Sequence, residues 1–425
     1  MKKVLTLAAL ACMMLAACTK NERIAEPARD IAISFSPISQ RTVTRAEYYG
    51  EQNATYTGSP IAGATASYEK FLAYAAYTEA ANTSGIAEFF PAAGVACEYE
   101  PAGYPTGSDF WAPAQACYWP KAGYLTFHAF SPAVLAPVAG TVTNDWANGV
   151  TLTGFTATTD MDKQVDVLYS DFNKHCQRSQ YSPETGFTYD DKTGDAASHK
   201  GVDIIFRHAL SAVQFRVVTD QDYTTGTQTH AFTVKQIKVI NVASKGEFHE
   251  NRVGTFDNAY GDAPQPSITF NKDNTDKTAT PYWITGDTVT DYVVFSGSQA
   301  VSAKAVSDAV TTPANVKEFG LYGKMMLPMP QELDHGTEKV IVEVTYDYTF
   351  NDGTTDHNYT GLTTRVELVG KVGVLAGNAY TVNQWLINHK YLYTLVFKLD
   401  PIIFDPKVEA FVEVTDINID LPYQN

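Results

Sequence analysis

Short strand-like runs, some with apolar and polar residues in alternation, recur along most of this chain, and a two-residue period admits strands rather than amphipathic helices. The clearest are Phe71–Thr78, Phe110–Trp119, Tyr124–Phe130, Val165–Tyr169, Val202–Phe206, Ala212–Val218 and Phe232–Val242. The series continues through Tyr292–Phe295, Lys324–Pro328, Lys339–Phe350, Thr364–Leu368, Leu392–Leu399 and Val408–Leu421. Clusters of Gly, Pro, Asn and Asp separate the runs, as turns between strands require. Only Asn383–His389 reads as a turn or two of helix. The 25 Tyr and 22 Phe suit pleated surfaces. No fixed repeat length appears, which argues against propellers and solenoids. The expected fold is all-β, built of sandwiches.

A chain of 425 residues has room for two or three domains. With 44% hydrophobic and 18% charged residues, each half can bury an ordinary core. The polar stretch Thr219–His230 is the best division, giving units of about 46–220 and 221–425. Asn173–Lys200 and Pro264–Tyr282 read as surface loops. Charge narrows the partners. The chain has 31 basic against 47 acidic residues, a net −16, and that field repels a phosphate backbone, so no nucleic-acid partner is expected.

The first residues are a targeting signal. Lys2 and Lys3 precede an apolar run from Val4 to Ala17, too short to span a bilayer but suited to a signal-peptide core. The run ends in Leu15-Ala16-Ala17-Cys18, which resembles a bacterial lipobox. Residues 1–17 are then a lipoprotein signal peptide and Cys18 is the lipidation site. Acyl chains, palmitate among them, contribute about 0.8 kcal/mol per buried CH₂ and would anchor the chain to the outer membrane. Thr19 to Asp30 reads as a tether, and Ile31-Ala32-Ile33-Ser34-Phe35-Ser36 as a strand with Ile31, Ile33 and Phe35 on one face. Once Cys12 and Cys18 are set aside, Cys97, Cys117 and Cys176 remain. An odd number argues against a disulfide framework, and whether Cys97 pairs with Cys117 stays open.

Chemistry-bearing motifs are missing. There is no Gly-x-Ser-x-Gly elbow, phosphate loop or His-Glu-x-x-His. Asn271–Asp276 imitates a calcium loop without its sixth-position Gly or twelfth-position Glu. His175-Cys176 reads as loop, His208 as a packing residue, and Asp190-Asp191 and Asp356-His357 as solvated turns. No metal, cofactor or enzymatic activity is expected.

In order along the chain, several segments together resemble the fimbrillins of Bacteroidetes, the type V pilins. They are the lipobox, Ile31–Ser36 leading to Thr44-Arg45-Ala46, Tyr118-Trp119-Pro120 before Leu125-Thr126-Phe127, and Asp166-Val167-Leu168-Tyr169. Phe206–Phe215, Met326–Gln331 and Tyr391–Phe404 with Asp405-Pro406 complete the set. Met329-Pro330-Gln331 departs from the family's aliphatic-Pro-Gln, and the polar loop 173–200 has no counterpart. The resemblance implies two tandem transthyretin-like β-sandwich domains, export as a surface lipoprotein, trimming by an Arg-specific protease, and polymerisation with other pilin subunits by strand exchange. Residues 18–45 would be the tether and cleavable N-terminal strand. Cleavage between Arg45 and Ala46 fits the family's pattern, with Arg41-Thr42 as the alternative. Residues 1–45 hold seven of the 31 basic and three of the 47 acidic residues, so trimming leaves 24 against 44, a net −20.

The C-terminal run has two phases. Val408, Ala410, Val412 and Val414 share one parity, and Ile417, Ile419 and Leu421 share the other. A change of parity requires a bulge or two shorter strands. Either both belong to the chain's own second domain, or Ile417–Leu421 at least donates to the groove that Ile31–Phe35 vacates in a neighbour. Two functions compete: a polymerising fimbrial subunit serving adhesion, and a monomeric surface lipoprotein that binds glycans or host protein through its loops. Exposed Tyr and Trp platforms on loops would favour the second, and the pattern leaves Trp111, Trp146 and Trp283 unplaced.

Overall fold

A computed structural model describes residues 33–39, 70–79, 87–99, 111–136, 138–146, 149–170, 173–177, 201–220, 223, 227–250, 281–301, 321–322, 325–336, 338–375, 378–399, 403–407 and 419–420. Among these residues every regular element is a strand, and the protein is all-β. In chain order the strands are β1 (Phe35–Ser39), β2 (Phe71–Thr78), β3 (Ala87–Glu88), β4 (Val95–Tyr99), β5 (Trp111–Pro113), β6 (Tyr124–Ser131), β7 (Ala139–Asp145), β8 (Gly149–Thr156) and β9 (Leu168–Ser170). Then come β10 (Asn173–Cys176), β11 (Val202–His208), β12 (Ala212–Thr219), β13 (Thr229–Ala243), β14 (Lys245–His249), β15 (Tyr282–Thr285), β16 (Val289–Ala300), β17 (Leu321–Tyr322) and β18 (Gln331–Glu332). The series ends with β19 (Ile341–Asn351), β20 (Asp356–Glu367), β21 (Lys371–Leu375), β22 (Asn378–Val382), β23 (Gln384–Trp385), β24 (Lys390–Phe397), β25 (Ile403–Lys407) and β26 (Ile419–Asp420).

The N-terminal strands form one sheet in the order β10-β6-β9-β11-β1-β5-β4-β2-β3, with β6 also paired to β2. That last pairing closes β6, β9, β11, β1, β5, β4 and β2 into a ring. Alternation along the staves decides what fills it. Phe71, Ala73 and Ala75 of β2 and Leu125, Phe127 and Ala129 of β6 point inward to a core shared with Ile33, Phe35, Trp111, Val202 and Phe206. The opposite parity, Tyr74 and Phe130, faces outward and is covered by a second sheet, β15-β14-β8-β7, through Leu152, Phe155, Phe248 and Trp283.

Beyond β11 two sheets enclose a third core. One runs β17-β12-β24-β25-β26 and the other β16-β13-β19-β20. Val213, Phe215 and Val217 of β12 and Tyr391, Tyr393 and Leu395 of β24 meet Val234, Ile237, Val239, Val342 and Val344 from the facing sheet. Strands from either side of residue 220 share sheets: β8 pairs with β14, and β12 runs parallel to β24.

Several elements differ from the pattern reading. Asn383–His389 contains β23 and a turn instead of helix, because Trp385 is drawn into the core, where its indole N–H donates to Tyr393. Part of the expected loop 173–200 is β10, whose Cys176 is buried opposite Leu125. The hairpin β7–β8 went unread because its Gly and Thr residues carry little hydrophobic contrast.

Candidate functional site

Polar backbone decides where a sheet can exchange material, since each buried N–H and C=O must keep a partner. In the ring that question falls on β1. It lies parallel to β11 from Phe35↔Val202 to Ser39↔Phe206, but meets β5 only at Phe35↔Trp111. Just before it, Ile33 N–H donates to the Cys117 carbonyl at 2.7 Å and Val202 N–H donates to the Ser34 carbonyl at 2.8 Å. Gly201 belongs to this fit. A β-carbon there would stand 2.6 Å from the Phe35 backbone, so only glycine lets the two chains approach.

The side chains are seated as deeply as the backbone. Ile33 and Phe35 have no solvent exposure. The Phe35 ring meets Phe71 and Phe127 edge-on, with centroids 5.9 and 5.4 Å away, and Phe71 in turn meets Trp111 and Phe206. Edge-to-face pairs of this kind contribute about 0.5–1.5 kcal/mol beyond burial. Ile33 and Phe35 thus share one buried core, and among the described residues the strand begins at Phe35. Pulling β1 out would leave β11 and β5 with unpaired edges and a hole in the core, which another apolar strand could fill.

At the other end of the chain, β25 lies antiparallel to β24, and β26 caps the sheet through Ile403↔Asp420 and Phe404↔Ile419. Ile419 therefore stands on the edge strand of its own chain's sheet. Cys18, Ile31, Arg41, Arg45, Ala46, Val408, Ala410, Val412, Val414, Ile417 and Leu421 lie outside the described residues.

Between β11 and β12, Ala209-Leu210-Ser211 is pinned by hydrogen bonds to groups distant in sequence. His208 Nδ1 lies 2.9 Å from an Asp166 carboxylate oxygen, both groups buried, and the His208 N–H donates to Asn388. The Trp283 indole donates to the Ala209 carbonyl at 2.6 Å. Ser211 N–H donates to Pro328, its hydroxyl to Leu386, and Asn388 N–H to Leu210. These bonds account for His208 as a structural group. Asn388, at φ 58°, and Gln164, whose amide brackets Met325 and Leu327, were invisible as partners because they lie far from their targets in sequence.

Other chemistry is sparse. Among the described residues no three His, Cys, Asp or Glu side chains gather to hold a metal ion. Cys97, Cys117 and Cys176 are buried and not in disulfides. Trp111 and Trp283 are core residues and Trp146 packs edge-on against His128, so none of the three forms an outer platform. No helix among the described residues is long and apolar enough to cross a membrane.

The model of a family described as fimbrillin-like matches residues 95–415. No curated protein matches the sequence. Among solved structures, a fimbrial protein from Bacteroides vulgatus is similar at 14% identity and a TM-score of 0.39, over 92% of this chain and 99% of that one. A candidate cell adhesion protein from Bacteroides uniformis is 13% identical with a TM-score of 0.38, over 81% of this chain and 92% of that one. Another from Bacteroides ovatus is 12% identical with a TM-score of 0.37, over 94% and 100%.

Proposed function

Because the chain belongs to the fimbrillin-like family, we propose that it is a structural subunit of a cell-surface fimbria serving adhesion, polymerised by protease-triggered strand exchange. The observation that carries this reading is β1: an N-terminal strand that completes a ring, fills its core with Ile33 and Phe35, and precedes two candidate cleavage points, Arg41 and Arg45. Cutting after Arg45 detaches that strand from the rest of the chain. The groove left behind has backbone edges on both sides and an aromatic floor, the template that β-strand addition needs.

In this account the chain is exported as an outer-membrane lipoprotein through Cys18 and trimmed by an Arg-specific protease. It then receives a strand from the next subunit, with Ile417–Leu421 and the preceding Val408–Val414 as the donor, which requires β26 to leave its pairing with β25 of its own chain. The two units drawn from the sequence, about 46–220 and 221–425, would be the tandem transthyretin-like sandwiches of a pilin, with β12 and β14 crossing that line to pair with β24 and β8. Inward placement of Trp111 and Trp283 supports a subunit over a glycan-binding monomer, whose aromatic rings would face outward.

Arg45→Ala tests the reading. The variant should fold, keep β1 in place and fail to form high-mass polymers on denaturing gels, with Arg41→Ala separating the two sites. Normal polymers from the Arg41→Ala, Arg45→Ala double variant would overturn the cleavage step.

A further inference from the structure

The ring interior holds three thiols packed among its apolar side chains. Cys97, Cys117 and Cys176 lie in the same buried core as Ile33 and Phe35. Two of these residues adjoin the N-terminal segment or the rings it packs on. The Cys117 carbonyl accepts the Ile33 N–H at 2.7 Å. Cys97 is the cross-strand partner of Phe71, the ring on which Phe35 packs edge-on. Cys117 is also near enough to disfavour ionisation of Cys97. Three serines or alanines would fill similar volume without a nucleophile.

We propose that the groove under β1 is a strand-gated thiol site, where Cys97 and Cys117 are shut away while β1 is seated and take a small disulfide once it leaves. The inference rests on the reading that β1 is removable. While β1 is seated, burial pushes the Cys97 thiol well up, and a protonated, covered thiol does not react. With β1 gone, water reaches the pair and the thiolate becomes available. The step is thiol–disulfide exchange with a low-molecular-weight disulfide as oxidant. The cysteine thiol gives its proton to solvent, and the thiolate attacks one sulfur of the donor. The donor S–S bond breaks as the mixed disulfide forms, and the released thiolate takes up a proton. The adduct occupies space that Ile33 and Phe35 filled, so a capped groove refuses an incoming strand until a reductant clears it. Assembly would then answer to the thiol redox state around the cell.

The test uses the full chain and oxidised glutathione as the probe, read by intact mass and peptide mapping. The uncleaved protein should resist modification at Cys97 and Cys117. Cleaved protein from which the N-terminal peptide has been shown to dissociate should react at least about 100-fold faster, as expected when a closed site opens. Phe35→Asp in the uncleaved chain loosens β1 without any protease. It should react as well, and Phe35→Ala, which folds more readily, should be intermediate. These variants keep the thiol question separate from the cleavage reading. If the N-terminal peptide stays bound after cleavage yet both variants react, the assembly reading fails and the thiol gate stands. Equal reaction rates in wild type and Phe35→Asp, with hydrogen exchange showing residues 33–39 open only in the variant, would overturn the gate. A second readout is binding of a peptide of residues 31–39 to the strand-released chain. Glutathionylated protein should lose that binding at least about tenfold, dithiothreitol should restore it, and Cys97→Ser, Cys117→Ser should be indifferent to the disulfide. Unchanged peptide binding by the glutathionylated protein would contradict the blocking role.

Discussion

The ring and the two-sheet unit that follows it each contain one parallel strand pair, and the two pairs are built from opposite ends of the chain. In the ring, β11 receives β1 from the N-terminal side; in the second unit, β12 receives β24 from the C-terminal side. Only Ala209-Leu210-Ser211 separates β11 from β12. Their partners are held very differently. β24 pairs along eight residues from Ala212↔Lys390 to Thr219↔Phe397, and β25 covers its far side. β1 pairs over five residues on one side and at a single position on the other. A strand held mainly along one edge, by a segment near the chain terminus, can leave without dismantling its neighbours. One enclosed on both sides cannot. The closed sheet thus contains the more sparsely paired member, while the second unit is open, with edges at β17, β26, β16 and β20.

The largest effects should come from removing one aromatic anchor from each unit. Phe35→Ala should destabilise the ring by about 3–5 kcal/mol, and Phe215→Ala should do the same to the second core. Amide exchange distinguishes them: Phe35→Ala should expose β11 and β5 while β12 and β24 stay protected, and Phe215→Ala should reverse that order. Equal deprotection everywhere in both variants would mean that the two cores open together and the comparison fails.

A smaller change attacks the fit of β1 without touching its side chains. Gly201→Ala places a β-carbon against the Phe35 backbone and should cost about 1–3 kcal/mol, read as faster loss of the cleaved N-terminal peptide. Next comes the bond at the junction of β11 and β12. Trp283→Phe keeps the ring and loses the bond to Ala209, so about 1–2 kcal/mol of thermal stability should go, with β1 exchange unaltered.

The smallest effect concerns the β19–β20 turn. The Asp352 carboxyl is held well below the usual range, first by the Thr354 hydroxyl, then by His357 and the Thr355 and Thr354 N–H groups. A depressed folded value means that its contribution is present above the ordinary carboxylate range and lost only as pH falls through the lower, folded one. The turn should therefore stay ordered where other aspartates titrate. Asp352→Asn should raise amide exchange at Thr354 and Thr355 at neutral pH and leave the global melt unmoved.

Much of this architecture was legible in the pattern of residues. Phe71–Thr78 matches β2 end to end, and Ala212–Val218 and Leu392–Leu399 fall almost wholly on β12 and β24, because short apolar runs rich in aromatic and β-branched residues and bounded by turn residues suit strands buried on both faces. Ile33 and Phe35 could be assigned to one face by their alternation with Ala32 and Ser34. What could not be read was pairing. Nothing local says that β1 runs parallel to a strand more than 160 residues away, or that β6 pairs on both sides to close the ring. Asn388 and Trp283 were likewise hidden, since a hydrogen bond to a distant backbone group leaves no periodic trace.

The central claim is that β1 leaves the chain that carries it and is replaced in the polymer. N-terminal sequencing and peptide mapping of chains recovered from cell-surface polymers test it most directly. The account predicts chains that begin at Ala46, or at Thr42 if Arg41 is the site, with Ile33 and Phe35 absent from the polymer and present in the unassembled lipoprotein. Polymers whose chains still begin at Cys18 and retain Phe35 would contradict it.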